Sequence, residues 1–335
     1  MRSIPFYPMM VLLLIGLGGY LGCDPNTLPL PLDPLPMEEA GQFPPATVGN
    51  ATVDTPPGTI PNRTAETILI GSFNLQRLGP SKLGQPWVME KFAELIRHFD
   101  VIALQEITSK DQRTLPQLVE LVNRANVSYS YTISPRIGRE ASGYYEQYAF
   151  VYDTTRIRGG AEFCYPVQDD ADMLHREPFV GRFETVSQLP FSFTLINIHT
   201  DPDEVKYELD VLADVYVNVR QFEYPQDDVL LLGDLNAEPS RFQKLGSIPG
   251  FVPLIVDLPT NTRKNKMLDN ILADRQLTRE FTGRAGVVDL ERRFGIQLAD
   301  AERISDHLPV WAEFTITEQT STFTATTGGT GAVAR

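Results

Sequence analysis

Val229-Leu230-Leu231-Leu232-Gly233-Asp234-Leu235-Asn236-Ala237-Glu238-Pro239 is the stretch from which the rest of the chain can be ordered. Four consecutive apolar residues closed by a glycine read as a strand buried on both faces. Asp234 and Asn236 follow at its tip, ahead of a proline-terminated turn. Side chains two residues apart on an extended chain point the same way. The tip of a buried strand is also where a sheet protein can hold reactive groups without disturbing its core. There a carboxylate can bind a metal or orient a water, and an amide can donate to a phosphate oxygen. Gly, Asp and Asn are ordinary turn residues as well, so the rest of the chain has to decide.

The same grammar recurs on either side. Residues 67–73 read as a strand ending at Asn74, and residues 87–99 show helical apolar spacing. Residues 100–104 form the next buried strand, terminated by Gln105-Glu106, and residues 115–125 a second helix. Residues 129–134 and 147–152 read as paired strands around a loop rich in Gly and Arg that runs into Tyr144-Tyr145-Glu146. Residues 183–185 and 191–198 continue the strands to His199, before the longest helix at 205–222. Residues 267–272 form a short strand with Asp269 in its middle, and Asp306-His307 precede a final strand at 310–316. Alternation of strand and helix places the chain in the α/β class. Any one polar residue at a strand end has a plain reading as a cap. Asn74, Glu106, His199, Asp234, Asn236, Asp269, Asp306 and His307 together are hard to attribute to capping.

The ends of the chain differ in composition from this core. Arg2, an apolar run at residues 9–19 and Gly22-Cys23 form a targeting segment, residues 1–23, whose apolar part falls short of the about 20 residues of a membrane span. Three readings stay open: a bacterial lipoprotein signal with Cys23 lipidated, an ordinary cleaved signal, and an uncleaved anchor. Tyr20 and Leu21 depart from the small residues of a lipoprotein signal; in all three readings the remainder is exported, lipid-anchored at the cell envelope or secreted. Pro25, Pro29, Pro31, Pro34 and Pro36 make residues 24–66 a semi-extended tether. Residues 67–317 form the folded domain, and 318–335 read as a disordered tail. A net charge of -14 over 335 residues excludes a broad basic surface for nucleic acid. It does not exclude a nuclease that works through a metal ion and a few local cations. With only Cys23 and Cys164 there is no disulfide framework.

The ordered set Asn74, Gln105-Glu106, His199, Gly233-Asp234-x-Asn236, Asp269 and Ser305-Asp306-His307 resembles the endonuclease/exonuclease/phosphatase superfamily, and within it the deoxyribonuclease I branch. Tyr144 to Tyr148, Arg176-Glu177-Pro178 and Asp214-Val215-Tyr216 support the branch, and the resemblance spans residues 67–317. It implies a four-layer sandwich of two packed mixed β-sheets flanked by helices, with the site at the strand tips. It also implies phosphodiester hydrolysis on DNA assisted by Mg2+, with Mn2+ as a substitute and Ca2+ as a structural or activating ion. In that scheme Glu106 holds the metal beside Asn74 and Asp306. His307 backed by Asp269 and His199 backed by Glu146 supply base and acid, in an order left open. Asp234 orients water or metal, Asn236 donates to a phosphate oxygen, Arg176 contacts a phosphate, and Tyr144 packs against a sugar. A monomer is implied, and no protein partner is evident.

The chain departs from the branch at Gln76 and Thr108, where deoxyribonuclease I carries arginines that reach into the minor groove; Arg77 is adjacent. The family's disulfides are absent. Asp169, Asp170 and Asp172, where the family has a calcium-stabilised loop, read as a solvated acidic loop. His98 and His175 read as structural or surface residues. Two other functions compete: the same fold acting on a phospholipid head group or a sugar or inositol phosphate, and a non-catalytic binding protein. Tyr144 and Arg176 count against the first, and the intact Glu106, His199, Asp234 and His307 against the second.

Overall fold

In a computed structural model that describes residues 58–225 and 227–319, the apolar run at Val229 lies in a strand, Asp228–Asp234, buried along its whole length. In chain order the strands are β1 Thr67–Leu78, β2 Val101–Ile107, β3 Tyr129–Ile133, β4 Gln147–Asp153, β5 Ile157–Arg158, β6 Cys164–Pro166, β7 Phe179–Thr185, β8 Ser192–His199, β9 Asp228–Asp234, β10 Phe251–Pro253, β11 Asp269–Asp274, β12 Phe281–Val287 and β13 Val310–Thr315. One sheet has the order β12-β13-β1-β2-β4-β3, the other β10-β11-β9-β8-β7-β5 with β6 paired to β7. Both are mixed: β1 runs parallel to β2, and β8 parallel to β9. The helices are α1 Pro80–Leu83, α2 Pro86–Ile96, α3 Thr114–Asn123, α4 Val205–Asn218, α5 Leu290–Phe294 and α6 Leu298–Ile304.

The unbroken apolar run of β9 follows from its position. Leu230 and Leu232 join the core shared with the first sheet, whereas Val229 and Leu231 pack in a second core with Leu209, Leu212 and Tyr216 of α4. A strand covered on both faces has no polar side to present. In α2, Val88, Phe92, Leu95 and Ile96 form one apolar face, the spacing of a helix laid on a sheet. Helix, sheet, sheet, helix is the four-layer sandwich expected.

Several boundaries differ from the expectation. β1 does not stop at Asn74 but continues to Leu78 through a register shift, with Gln76 and Arg77 in the left-handed region at φ 47 and 59°. β2 likewise carries Glu106, at φ 61°, inside the strand rather than after it. Asp269 opens β11 instead of sitting in its middle. α4 closes at Asn218 and passes into a π-helical turn, Val219–Glu223, where one continuous helix was expected. Among the described residues, packing already includes Gly58, within the segment read as tether. The Asp289 amide donates to the Gly58 carbonyl, and Arg63 pairs with Asp100 and Asp153 at 2.7 and 2.5 Å. Residues 1–57, with Cys23 and most of the tether, and the tail beyond residue 319 lie outside the described residues.

Candidate active site

The strand ends converge. Asn74 pairs in register with Gln105, and Asp234 pairs with His199 on one side and Asp269 on the other. One rim of both sheets therefore carries most of the polar set. The sheets are joined there by the Asn74 side chain, whose Nδ2 donates to Glu106 Oε1 and to Asp234 Oδ2, each at 3.0 Å. Asn74 Oδ1 accepts from the Gln76 amide at 2.9 Å, which fixes the orientation of the carboxamide. Asn74 thus presents a donor to the two carboxylates and helps to position them.

Two imidazoles, each with its own carboxylate, meet at a third carboxylate. His199 Nδ1 lies 3.0 Å from Glu146 Oε1, and its Nε2 3.5 Å from Asp234 Oδ2. His307 Nδ1 lies 2.9 Å from Asp269 Oδ2, and its Nε2 3.4 Å from the same Asp234 oxygen. The order Glu146, His199, Asp234, His307, Asp269 is an unbroken linear chain of charge-assisted contacts. Asp234 Oδ1 accepts from the Asn236 amide at 3.0 Å, and Asn236, at φ 47°, donates its side chain to the Thr200 carbonyl at 2.9 Å.

Burial sets the electrostatics of this chain. For His199, burial alone would lower the pKa, but Glu146 and Asp234 outweigh it and raise it. For His307, burial is likewise outweighed by Asp269 and Asp234, and the ring is held well above its ordinary value. Glu146 and Asp234 move the other way: burial would raise each, and the neighbouring imidazoles hold both below the usual carboxylate range. Burial pushes Asp269 up to about 6, with His307 opposing and Asp234 adding to the rise.

Glu106 stands beside this chain, half-buried. Its Oε2 accepts from the Arg77 amide at 2.9 Å and from the Tyr144 hydroxyl at 3.3 Å, and the same hydroxyl reaches Glu146 Oε2 at 3.0 Å. Tyr144 therefore ties the two glutamates together. Arg176, expected at a phosphate, is buried: its Nε donates to the His199 carbonyl at 2.8 Å and lies 3.3 Å from Glu146 Oε1. The structure makes it a support for the His199 pair. Asp306 is exposed, 4.0 Å from His307 Nε2. Arg77 lies over the Tyr144 ring at 5.7 Å, at the mouth of the site. A cavity of about 480 Å³ opens next to His307, lined by Gln76, Asn261, Arg263, Lys266 and Asp306 among others.

The donor set suits a hard divalent cation. Glu106 and Asp306 offer the accessible carboxylate oxygens, the ligand type that Mg2+ takes. Asp234, Asp269 and His307 also bring ligand atoms within 4.8 Å of one another, but both His307 nitrogens face carboxylates in the chain of contacts. Glu106 and Asp306 are the holders that the resemblance implies.

Residues to which the sequence reading gave no role of their own support these groups. Tyr148, buried on β4, accepts from the His199 amide at 2.9 Å. Ser305 Oγ donates to the Asn74 carbonyl and accepts from the His307 amide, at 2.7 and 3.0 Å, which pins the His307 loop to β1. Thr260 Oγ1 accepts from the Asp269 amide, and Thr262 Oγ1 donates to the Ser305 carbonyl. Asn197 and Gln105 bond across the sheets at 2.7 Å. Lys82 donates to the carbonyls of Leu75 and Ile304, and burial lowers its pKa to about 8.

The same stretch of chain matches known proteins. The model of the Endonuclease/Exonuclease/phosphatase family matches residues 71–307. The chain is 33% identical over 261 residues to deoxyribonuclease-1-like 1 of Sus scrofa, covering 74% of this chain and 81% of that protein. It is 33% identical over 263 residues to deoxyribonuclease gamma of Rattus norvegicus, covering 73% and 84%. Among solved structures, an endonuclease/exonuclease/phosphatase family protein from Bacteroides thetaiotaomicron superposes with a TM-score of 0.53 at 15% identity, covering 75% of this chain and 95% of its own. The human Nocturnin catalytic domain gives 0.50 at 15% identity, covering 75% and 95%. At these identities the solved structures speak to the fold alone.

Proposed function

Since the chain belongs to the endonuclease/exonuclease/phosphatase family, we propose that it is an exported, divalent-metal-dependent endonuclease that hydrolyses DNA. The observation that carries the reading is the single Asp234 oxygen set between two imidazoles, each backed by its own carboxylate. Hydrolysis of a phosphodiester needs a proton taken from water as its oxygen attacks phosphorus, and a proton given to the departing 3' oxygen. Two imidazoles at one carboxylate provide both operations. One ring accepts the proton of the water and the other releases its proton to the leaving oxygen. Asp269 and Glu146 hold the rings by Nδ1, so that each presents Nε2, and Asp234 keeps both Nε2 atoms aimed at one place. The near-equivalence of the two ends leaves their assignment to kinetics. Asn236 stands at the same rim to donate to a phosphate oxygen, with Arg77 and Tyr144 at the mouth. A divalent ion held by Glu106 and Asp306 would supply charge to the phosphorane-like transition state and lower the proton affinity of the neighbouring ring.

The deoxyribonuclease names of the relatives favour DNA as substrate. The apolar run before Gly22-Cys23 favours export, with Cys23 as lipid anchor, and labelling with palmitate in cells tests it against a Cys23→Ser variant. The activity is tested by incubating the purified chain with supercoiled plasmid and Mg2+, with EDTA and His307→Ala as controls. Nicking that both controls abolish is the expected result. A folded protein that leaves plasmid intact yet hydrolyses a small phosphodiester or a phospholipid head group would sink the DNA reading and keep the fold's chemistry.

A further inference from the structure

β9 has a second acidic end. Asp228 opens the strand whose last residue is Asp234, some 20 Å away along an extended chain. Around it gather Glu280, from the connection between β11 and β12, and Glu318, just beyond β13. One carboxylate oxygen from each of the three lies within 4.8 Å of the others.

Carboxylates crowd harmlessly on a wet surface, but two of these are not on one. Asp228 and Glu280 are 8% and 1% exposed. Asp228 Oδ1 is buried with no hydrogen-bond partner, and the Thr278 hydroxyl beside it, also buried, lacks a hydrogen bond of good geometry. None of the three carboxylates has an ion-pair partner among the described residues. Arg182 is committed to the neighbouring Asp227 at 2.5 and 3.1 Å. Glu280 Oε1 accepts only the Gln319 amide, at 2.5 Å. An orphaned, buried oxygen on a carboxylate crowded by two others is costly unless a cation or a proton offsets it.

We propose that Asp228, Glu280 and Glu318, with the Thr278 hydroxyl, form a divalent-cation site of the calcium class at the end of the sandwich remote from the active site. Calcium takes six to eight hard oxygens in flexible geometry, and carboxylates from three segments, a hydroxyl and water provide that set. The ion would fasten the start of β9, the turn before β12 and the exit from β13 to one another. Its role is structural, and its fate is independent of the nuclease reading. In the metal-free chain burial, eased by Thr278 and reinforced by Glu280 and Glu318, pushes Asp228 up to about 7, which is the cost the ion would remove.

The test uses the full chain stripped with chelator, then titrated with Ca2+ by calorimetry and followed by thermal melts. Wild type and Glu106→Gln, altered only at the active site, should both gain roughly 5 °C in Tm at saturating Ca2+. Asp228→Asn should lose that gain and one bound ion per chain, with a melt in chelator no lower than wild type, because a like charge has been removed. Glu318→Gln, at the rim, should bind the same ion at least tenfold more weakly while folding normally. Unchanged stoichiometry and an unchanged Tm gain in Asp228→Asn would overturn the proposal. So would a wild-type protein that ignores Ca2+ and whose stability changes only with pH, the signature of a proton in place of the ion.

Discussion

At Asp234 one carboxylate oxygen faces two ring nitrogens, at 3.5 and 3.4 Å, so removing its charge disturbs both proton-handling groups together. Asp234→Asn should therefore lower kcat by about 10²- to 10⁴-fold with little change in KM, the scale of losing a positioned acid or base. His199→Ala and His307→Ala should each do the same, and the double variant little more, because the groups act as a unit. Single-turnover kinetics on a defined duplex would show this; additive losses would contradict it. The same chain of contacts fixes the pH dependence of stability. His199 and His307 are raised in the folded state, so their contribution is full below the unfolded value near 6.5 and is lost as pH rises through their folded values. Asp269, raised to about 6, acts in the same sense. Glu146 and Asp234 are lowered, so theirs is present above the unfolded values near 4 and is lost as pH falls. Thermal melts of the metal-free protein across pH 4–9 should show stability lost on the alkaline side above about pH 6.5, and His307→Gln should flatten that side.

In the strands the decisive position is Gly233. Its φ is +147°, and a Cβ there would fall 1.9 Å from the Ile198 carbonyl oxygen on the neighbouring β8. Gly233→Ala should cost at least about 3 kcal/mol, read by urea denaturation, because backbone rather than a mobile side chain must give way. The elements that sequence made legible are those whose burial writes itself locally, such as β9, β2 and the apolar face of α2. β12 was passed over because Gly283, Arg284 and Gly286 break its pattern at a sheet edge, and β5 and β6 are too short to carry one. The same division holds in the site. Polar residues at the ends of apolar strands stood out, and the structure brings His199, Asp234, Asp269 and His307 together. Tyr148, Asn197, Thr260 and Ser305 act through partners distant in the chain, which no local pattern announces. Arg176 shows the same limit: whether an arginine faces a ligand or the core is decided by what packs over it.

Across the whole molecule a net charge of -14 leaves few places where a polyanion could settle. Arg263 and Lys266 line the cavity beside His307, and Arg263 is paired with Glu302 at 2.6 Å on an otherwise open surface. If phosphates rest there, Arg263→Ala and Lys266→Ala should each raise KM and reduce the slope of log affinity against log salt by about 1. Filter binding to an uncleavable duplex at several salt concentrations measures this, and unchanged slopes would move the contact elsewhere. The joining of both sheets at Asn74 and Asp234 also bears on inheritance. An extra residue in the loops around Ser247 or Arg275 lengthens a surface connection and leaves the rim as it was. One extra residue inside β9 turns Asp234 to the opposite face and strands both histidines at once. Lineages descending from such a protein are free to vary in loop length, while the number of residues between Asp228 and Asp234 is held fixed by a site that has no partial form.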